Sequence, residues 1–253
     1  MYDALSSDYD RFVNWQGRLA IELPFIHEKL HENKSRIILD AATGTGMHAI
    51  ALAQLGYQAS GADISRGMIE RARINANTVG VQARFEIAGF GTLAQTFGIG
   101  HFDAVLCLGN SLPHLLSHTE LDQALVDFAK CLKPGGLLLI QNRNFDAVIA
   151  NHERWMEPQS HTEGKVEWVF QRFYDFEPDG LLTFNMVTLK RGLQGKWTQD
   201  VVTSRLRPIT KVELILSLTE ARFKSLKPFG NMSGVPFNPE KSPNLVVLAR
   251  KHA

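Results

Sequence analysis

Glycines and acids carry the first chemical signal in this chain. The segment Ile37-Ile38-Leu39-Asp40-Ala41-Ala42-Thr43-Gly44-Thr45-Gly46-Met47-His48-Ala49 reads as a strand, a tight loop and the start of a helix. Gly44 and Gly46 can take positive φ and let a ligand approach the backbone, at a helix N-terminus whose free N–H groups point outward. Gly-x-Gly-x-x-Ala over 44–49 also fits the dinucleotide fingerprint, so the loop alone leaves the ligand open. Asp40, four residues before the first glycine, sits badly against a pyrophosphate and suits a cationic ligand instead. Asp63, at the end of the next strand, can accept both ribose hydroxyls of a nucleoside. Its plainer reading is a cap-like residue ahead of Ser65. His114 and Arg143 follow the fourth and fifth candidate strands, the edge at which such sheets bind ligands.

The elements that must position these residues alternate short aliphatic runs with amphipathic stretches from Arg36 to Ile140, the pattern of a parallel sheet with crossover helices. Strands are expected at 37–41, 58–62, 83–88, 104–108 and 137–142, with Gly56 and Gly80 as helix stops and Thr119 with Asp122 as a capping box. Pro134-Gly135-Gly136 turns into the fifth strand. Upstream, 15–32 has helical spacing, with Pro24 marking either a kink or a second helix. Beyond Ala150 the period changes. Segments 166–176, 181–191 and 196–206 alternate as a three-stranded antiparallel insertion, Thr210 with Glu213 caps a helix, and 223–228 and 245–250 return to the main sheet. The organisation expected is a cofactor-binding part with N-terminal lid helices (1–150), an antiparallel β cap (151–208) and a C-terminal return (209–253).

Lys and Arg number 27 against 26 Asp and Glu, a formal net charge of +1, which supplies no global basic field for nucleic acid or an anionic membrane. With 253 residues, 44% hydrophobic and 15 Phe, the chain can bury a sizeable core, and disorder, collagen and coiled coil are excluded. Aliphatic runs such as Leu137 to Ile140 fall far short of the ~20 residues of a membrane span. Met1 to Asp8 places acids where a secretory signal needs cations and then an apolar stretch, so a cytoplasmic location is expected. Cys107 and Cys131 lack the close spacing of a zinc site or disulfide framework and read as packing residues.

Asp40 to Gly46, Asp63, Phe102-Asp103-Ala104-Val105 and Lys133-Pro134-Gly135-Gly136 together resemble the class I S-adenosylmethionine-dependent methyltransferases. More narrowly, Leu106 to Leu115, Pro134 through Asp146 and the later island Met186-Val187-Thr188-Leu189 look like glycine and glycine/sarcosine N-methyltransferases. The likeness runs well over Tyr9 to Ile149 and is patchy afterwards. It implies a Rossmann-like α/β fold, a seven-stranded mostly parallel sheet with helices on both faces and an inserted antiparallel β cap. It also implies S-adenosylmethionine as cofactor, S-adenosylhomocysteine as product, no metal, and a small carboxylate-bearing amine as substrate.

Matched residue by residue, the resemblance assigns the cofactor to Tyr9, Trp15, Arg18, Asp40, Ala42, Gly44, Gly46, Asp63, Ile64, Met68, Gly89, Phe90, Leu108, Gly109, Asn110 and His114. Gly44 passes near the methionine part, Arg18 meets its carboxylate, Asp63 binds the ribose and Phe90 covers the adenine. His114 contacts the cofactor and is the candidate to take a proton from the substrate ammonium. Asn110, Arg143 and Arg191 are the substrate candidates, with Arg143 gripping the acceptor carboxylate in a bidentate pair. The chain departs from the family at Gly89, where the family places a polar side chain, and at Arg191, which replaces a tyrosine after Met186 to Leu189. Two arginines at one pocket suit a more anionic substrate. The plainer readings are solvated charges for Arg18 and Arg143 and a satisfied loop histidine for His114.

Other functions stay open at this point. A methyltransferase acting on an unrelated oxygen, nitrogen or carbon leaves Arg143 dispensable. An NAD-dependent oxidoreductase fits Gly44-x-Gly46-x-x-Ala49 with Asp63, and a nucleoside-binding sensor keeps the pocket without turnover. Nucleic acid is disfavoured as acceptor, because Gly109-Asn110-Ser111-Leu112 stands where an Asn/Asp-Pro-Pro-Tyr loop belongs. The insertion's strand edges leave a homo-oligomer open.

Overall fold

In the computed structural model, residues 9–252 are described. Two helices, α1 (Tyr9–Phe12) and α2 (Trp15–Glu32), precede the alternating unit β1 (Ile37–Ala41), α3 (Met47–Gln54), β2 (Gln58–Asp63), α4 (Arg66–Thr78), β3 (Arg84–Ile87), α5 (Leu93–Phe97) and β4 (Phe102–Cys107). A 3₁₀ turn (Leu112–His114), α6 (His118–Cys131), β5 (Leu132–Arg143) and α7 (Phe145–Ala150) follow. Then come β6 (Gln159–Glu163), β7 (Val166–Phe176), β8 (Leu182–Arg191), β9 (Trp197–Leu206), α8 (Lys211–Glu220), β10 (Phe223–Phe229) and β11 (Asn244–Lys251).

The first sheet has the order β10-β11-β5-β4-β1-β2-β3. β1 to β5 are parallel and β11 runs antiparallel to both β5 and β10. Its central strands are near-continuous apolar runs because helices bury both faces. Leu39, Val105 and Leu138 point into one core with Leu125 and Phe128 of α6, while Ile38, Leu106 and Leu139 point into the other with Ile26 and Leu52. Both cysteines are buried and unbridged. Every strand of the parallel set ends at the same edge, so the loops after β1, β2, β4 and β5 converge there.

Several local expectations change. The capping box of α6 is Ser117 with Glu120, whose side chains exchange bonds with each other's backbone N–H at 3.0 and 3.2 Å. Thr119 and Asp122 fit the spacing, but an aspartate is one methylene shorter than the glutamate the reciprocal bond requires. α2 runs unbroken through Pro24. β5 starts at Leu132 instead of Leu137, with Pro134-Gly135-Gly136 taken up as an irregularity in its pairing with β4.

The insertion forms a second sheet of four strands, order β6-β7-β8-β9. β6 was not expected because Gln-Ser-His-Thr-Glu carries no apolar alternation, as befits an exposed edge strand. Even-numbered residues of β7 and β8, among them Trp168, Phe170, Tyr174, Leu182 and Met186, are buried on one face. Phe145 and Val148 of α7 pack there, and so does Phe12, whose ring lies 5.5 Å from that of Phe170. The second sheet and the short N-terminal helix thereby roof the ligand edge of the first. Among the described residues no helix is long and apolar enough to cross a membrane. Met1 to Asp8 lie outside the described residues.

Candidate active site

At that edge lies a cavity of about 400 Å³. Tyr9, Trp15 and Arg18 come to it from the N-terminal helices, and Asp40, Ala42 and Gly44 from the end of β1 and its loop. Asp63, Ile64 and Met68 come from β2 onward, Gly89 and Phe90 from after β3, and Leu108, Gly109 and His114 from after β4. The glycine loop is held open by its acids. Gly44 donates its N–H to Asp63 Oδ2 at 2.9 Å, the Ser65 N–H donates to Asp63 Oδ1 at 2.9 Å, and the Thr43 hydroxyl donates to Asp40 Oδ2 at 2.6 Å. Ser65, not Asp63, caps α4 through Met68 N–H. Asp40 is 2% exposed, and burial pushes its carboxyl pKa up.

Arg18 is not a solvated charge. It donates from Nε to Glu22 Oε2 at 3.0 Å and from Nη2 to Gln141 Oε1 at 3.3 Å, and its guanidinium lies 5.2 Å from the Trp15 ring. Glu22, 6% exposed, also bonds His48 Nε2 at 2.7 Å and accepts from Gln141 Nε2 at 2.8 Å. Burial alone pushes the Glu22 carboxyl up, yet the His48 bond and the Arg18 charge outweigh it and hold the pKa at about 2. An ionised glutamate inside the protein thus fixes the arginine that faces the cavity.

A second chamber of about 430 Å³ adjoins the first, and Tyr9, Arg18, Gly109 and His114 line both. Arg143 stands on its wall, with Nη2 3.1 Å from Glu153 Oε2 and its guanidinium 5.9 Å from the Tyr174 ring. Its backbone N–H donates to Asn110 Oδ1 at 2.9 Å, which ties the loop after β5 to the loop after β4, where Asn110 sits at φ 69°. His114 shares a hydrogen bond with Ser204 of β9 at 3.2 Å, and burial lowers its pKa to about 4. The imidazole is neutral at pH 7.

Three assignments from the sequence change place. Gly46 does not line the cavity; at φ 81° it packs between α4 and β3, where an added Cβ would stand 2.8 Å from the Ala72 Cβ and 2.9 Å from the Phe85 ring. Asn110 lines the second chamber and not the first. Arg191 is in neither, because it pairs with Glu167 at the far end of β8 and stacks on Trp197. It lies five residues from Met186, an odd step that turns its side chain to the opposite face of the strand. The chamber instead receives Arg172 and Tyr174 from β7, with Asn142 and Gln141 from β5. The β7–β8 register, Arg172 opposite Met186, is what brings them in. No motif marked Arg172; only its even spacing from Phe170 and Tyr174 was available.

Comparison with known proteins follows the same lines. Residues 38–136 match the family model described as "Methyltransferase domain". A glycine/sarcosine N-methyltransferase of Parasynechococcus marenigrum (strain WH8102) is 33% identical over 203 residues, covering 76% of this chain and 72% of that protein. The enzyme of the same description from Halorhodospira halochloris is 32% identical over 207 residues, covering 79% and 77%. Among solved structures, an S-adenosylmethionine-dependent methyltransferase from Clostridium acetobutylicum ATCC 824 superposes with a TM-score of 0.79 over 100% of this chain and 99% of its own, at 17% identity. The sugar N-methyltransferase KedS8 from Streptoalloteichus sp ATCC 53650 gives 0.75 over 100% and 93%, at 18% identity. At such identities these two likenesses show the fold.

Proposed function

Because the chain belongs to the glycine/sarcosine N-methyltransferase family of S-adenosylmethionine-dependent methyltransferases, we propose that it methylates the nitrogen of a small amine that carries a carboxylate. The observation that supports this is the junction of two chambers, one with the acids and glycines of a nucleoside site, the other with Arg143 on its wall.

The donor set of the first cavity fits S-adenosylmethionine. Asp63 faces it with carboxylate lone pairs for ribose hydroxyls, Arg18 with a guanidinium for the methionine carboxylate, Phe90 with a ring for the adenine, and Asp40 with an acid for a cationic centre. When bound, S-adenosylmethionine would supply a methyl group activated by a sulfonium for transfer to the amine lone pair, with S-adenosylhomocysteine as the leaving group. The chain is left with alignment, exclusion of water and a neutral nucleophile. Arg143 grips the acceptor carboxylate and sets the nitrogen's position. Its positive charge also lowers the pKa of an ammonium beside it, which favours the neutral amine. His114, neutral and held by Ser204, is a contact at the junction and not the proton acceptor. The proton leaves the substrate ammonium for solvent before transfer, and the methylated nitrogen departs as an ammonium.

The test is the rate of S-adenosylhomocysteine formation with glycine or sarcosine in wild type, Arg143→Lys and Arg143→Ala. Charge-assisted bonds to a carboxylate contribute about 1.5–3 kcal/mol each, so Arg143→Ala is expected to lose roughly 100-fold in kcat/KM and Arg143→Lys less. An unchanged rate in Arg143→Ala overturns the assignment.

A further inference from the structure

The second chamber holds more positive charge than one carboxylate uses. Arg18, Arg143 and Arg172 line it against a single lining acid, Glu22, which is committed to Arg18 and His48. Arg143 has Glu153 beside it, but Arg172 pairs with no carboxylate among the described residues; its guanidinium lies 4.8 Å from the Phe12 ring. Burial, and after it the Arg143 charge, pulls the Arg172 pKa down, as expected of two cations in one partly buried space.

Unused hydrogen-bonding capacity collects at the same wall. The Nε atoms of Arg143 and Arg172 are both buried without a partner, and so are Oδ1 and Nδ2 of Asn142, a residue only 1% exposed. These atoms are closed off beneath the chamber surface, so what a ligand there meets is the charge of the two guanidinium groups. Tyr174, 1% exposed, brings no countercharge, because burial raises its pKa to about 12. The rest of the lining, with Met156, Phe184, Met186 and Leu206, is apolar. A glycine-sized acceptor satisfies one guanidinium and leaves the other half-buried without a carboxylate.

From this we infer that the acceptor is an amine bearing two anionic groups, one held by Arg143 and the second by Arg172. The inference rests on the reading of this chamber as the acceptor site. Nothing in the sequence motifs pointed to Arg172; the anionic preference expected from Arg143 with Arg191 is proposed here with Arg172 as the second arginine.

The experiment is calorimetric titration of the protein loaded with S-adenosylhomocysteine, using glycine, L-aspartate, iminodiacetate and N-(phosphonomethyl)glycine, in wild type, Arg172→Gln and Arg172→Lys. The dianionic amines are expected to bind at least tenfold more tightly than glycine, with Arg172→Gln abolishing that preference and Arg172→Lys restoring part of it. The phosphonate arm tells whether the second group is a carboxylate or a phosphonate. Titration of each variant with S-adenosylhomocysteine reports whether it is folded; if Arg172→Gln is not, the wild-type preference and Arg172→Lys decide. Equal affinity for glycine and the dianionic amines, or a preference that persists in folded Arg172→Gln, overturns the inference. If glycine is methylated in an Arg143-dependent way without any dianion preference, this inference alone fails. If no amine in the panel is bound or methylated, the reading of the chamber fails with it.

Discussion

Replacing Glu22 with Gln removes the charge that Arg18 and His48 share while keeping a side chain of the same shape. In the native protein the Glu22 pKa is about 2, against an ordinary value of 4.5. That depression corresponds to about 3 kcal/mol, and it already includes the opposing cost of burial. The sign follows from the direction. A carboxyl with a depressed native pKa contributes stability that is present above the unfolded pKa and is lost as pH falls from about 4.5 to about 2. Glu22→Gln is therefore expected to be about 3 kcal/mol less stable at pH 7, a fall in Tm of roughly 6–12 °C for a chain of this length. The gap should close as wild type is acidified toward pH 2.5. Thermal unfolding of both proteins at pH 7, 5, 4 and 3 reads this directly. Equal stability at pH 7, or a gap that does not narrow with acid, would refute the claim that Glu22 is held ionised by its partners.

Three further outcomes follow from the same geometry. Burial raises the Asp40 pKa, so at pH values below it the residue is neutral and pairs poorly with a cationic ligand. Affinity for S-adenosylmethionine is expected to rise with pH through that range, and a flat calorimetric profile counts against Asp40 as a partner. His114 titrates near 4, so the pH profile of kcat/KM should show no step between pH 5.5 and 7.5 that disappears in His114→Gln; finding one would restore the histidine as base. Gly46→Ala forces a Cβ to within 2.8 Å of Ala72 at a positive φ, and a loss of at least about 1 kcal/mol in urea unfolding is expected. A neutral result would show that α4 and β3 yield there.

Sequence carried the sheet of the cofactor half because its signals are local. A buried parallel strand is an aliphatic run, and the glycine loop and Asp63 stand at strand ends, so the family resemblance could be matched there residue by residue. The second chamber was far less legible. Arg143 follows a readable strand, but Arg172 and Tyr174 reach the site through the β7–β8 register and the docking of the second sheet, neither of which periodicity encodes. Arg191 was placed by motif adjacency, and strand parity sent it to the other face. Glu22 and Gln141 were missed for a related reason. Each reads alone as an ordinary polar residue, and only the approach of α2 to β5, 119 residues apart in sequence, makes them a bonded pair.

The proposed function joins the two chambers, the first presenting a methyl group and the second an amine anchored by Arg143. Mass spectrometry of the products formed from S-adenosylmethionine with glycine, sarcosine, dimethylglycine and acidic amino acids tests it most directly, in wild type beside Arg143→Ala. The expected products are an N-methylated amino acid and S-adenosylhomocysteine in equal amounts, with most of both lost in Arg143→Ala. Product that forms equally well without Arg143, or S-adenosylmethionine bound with no amino acid methylated, would contradict it.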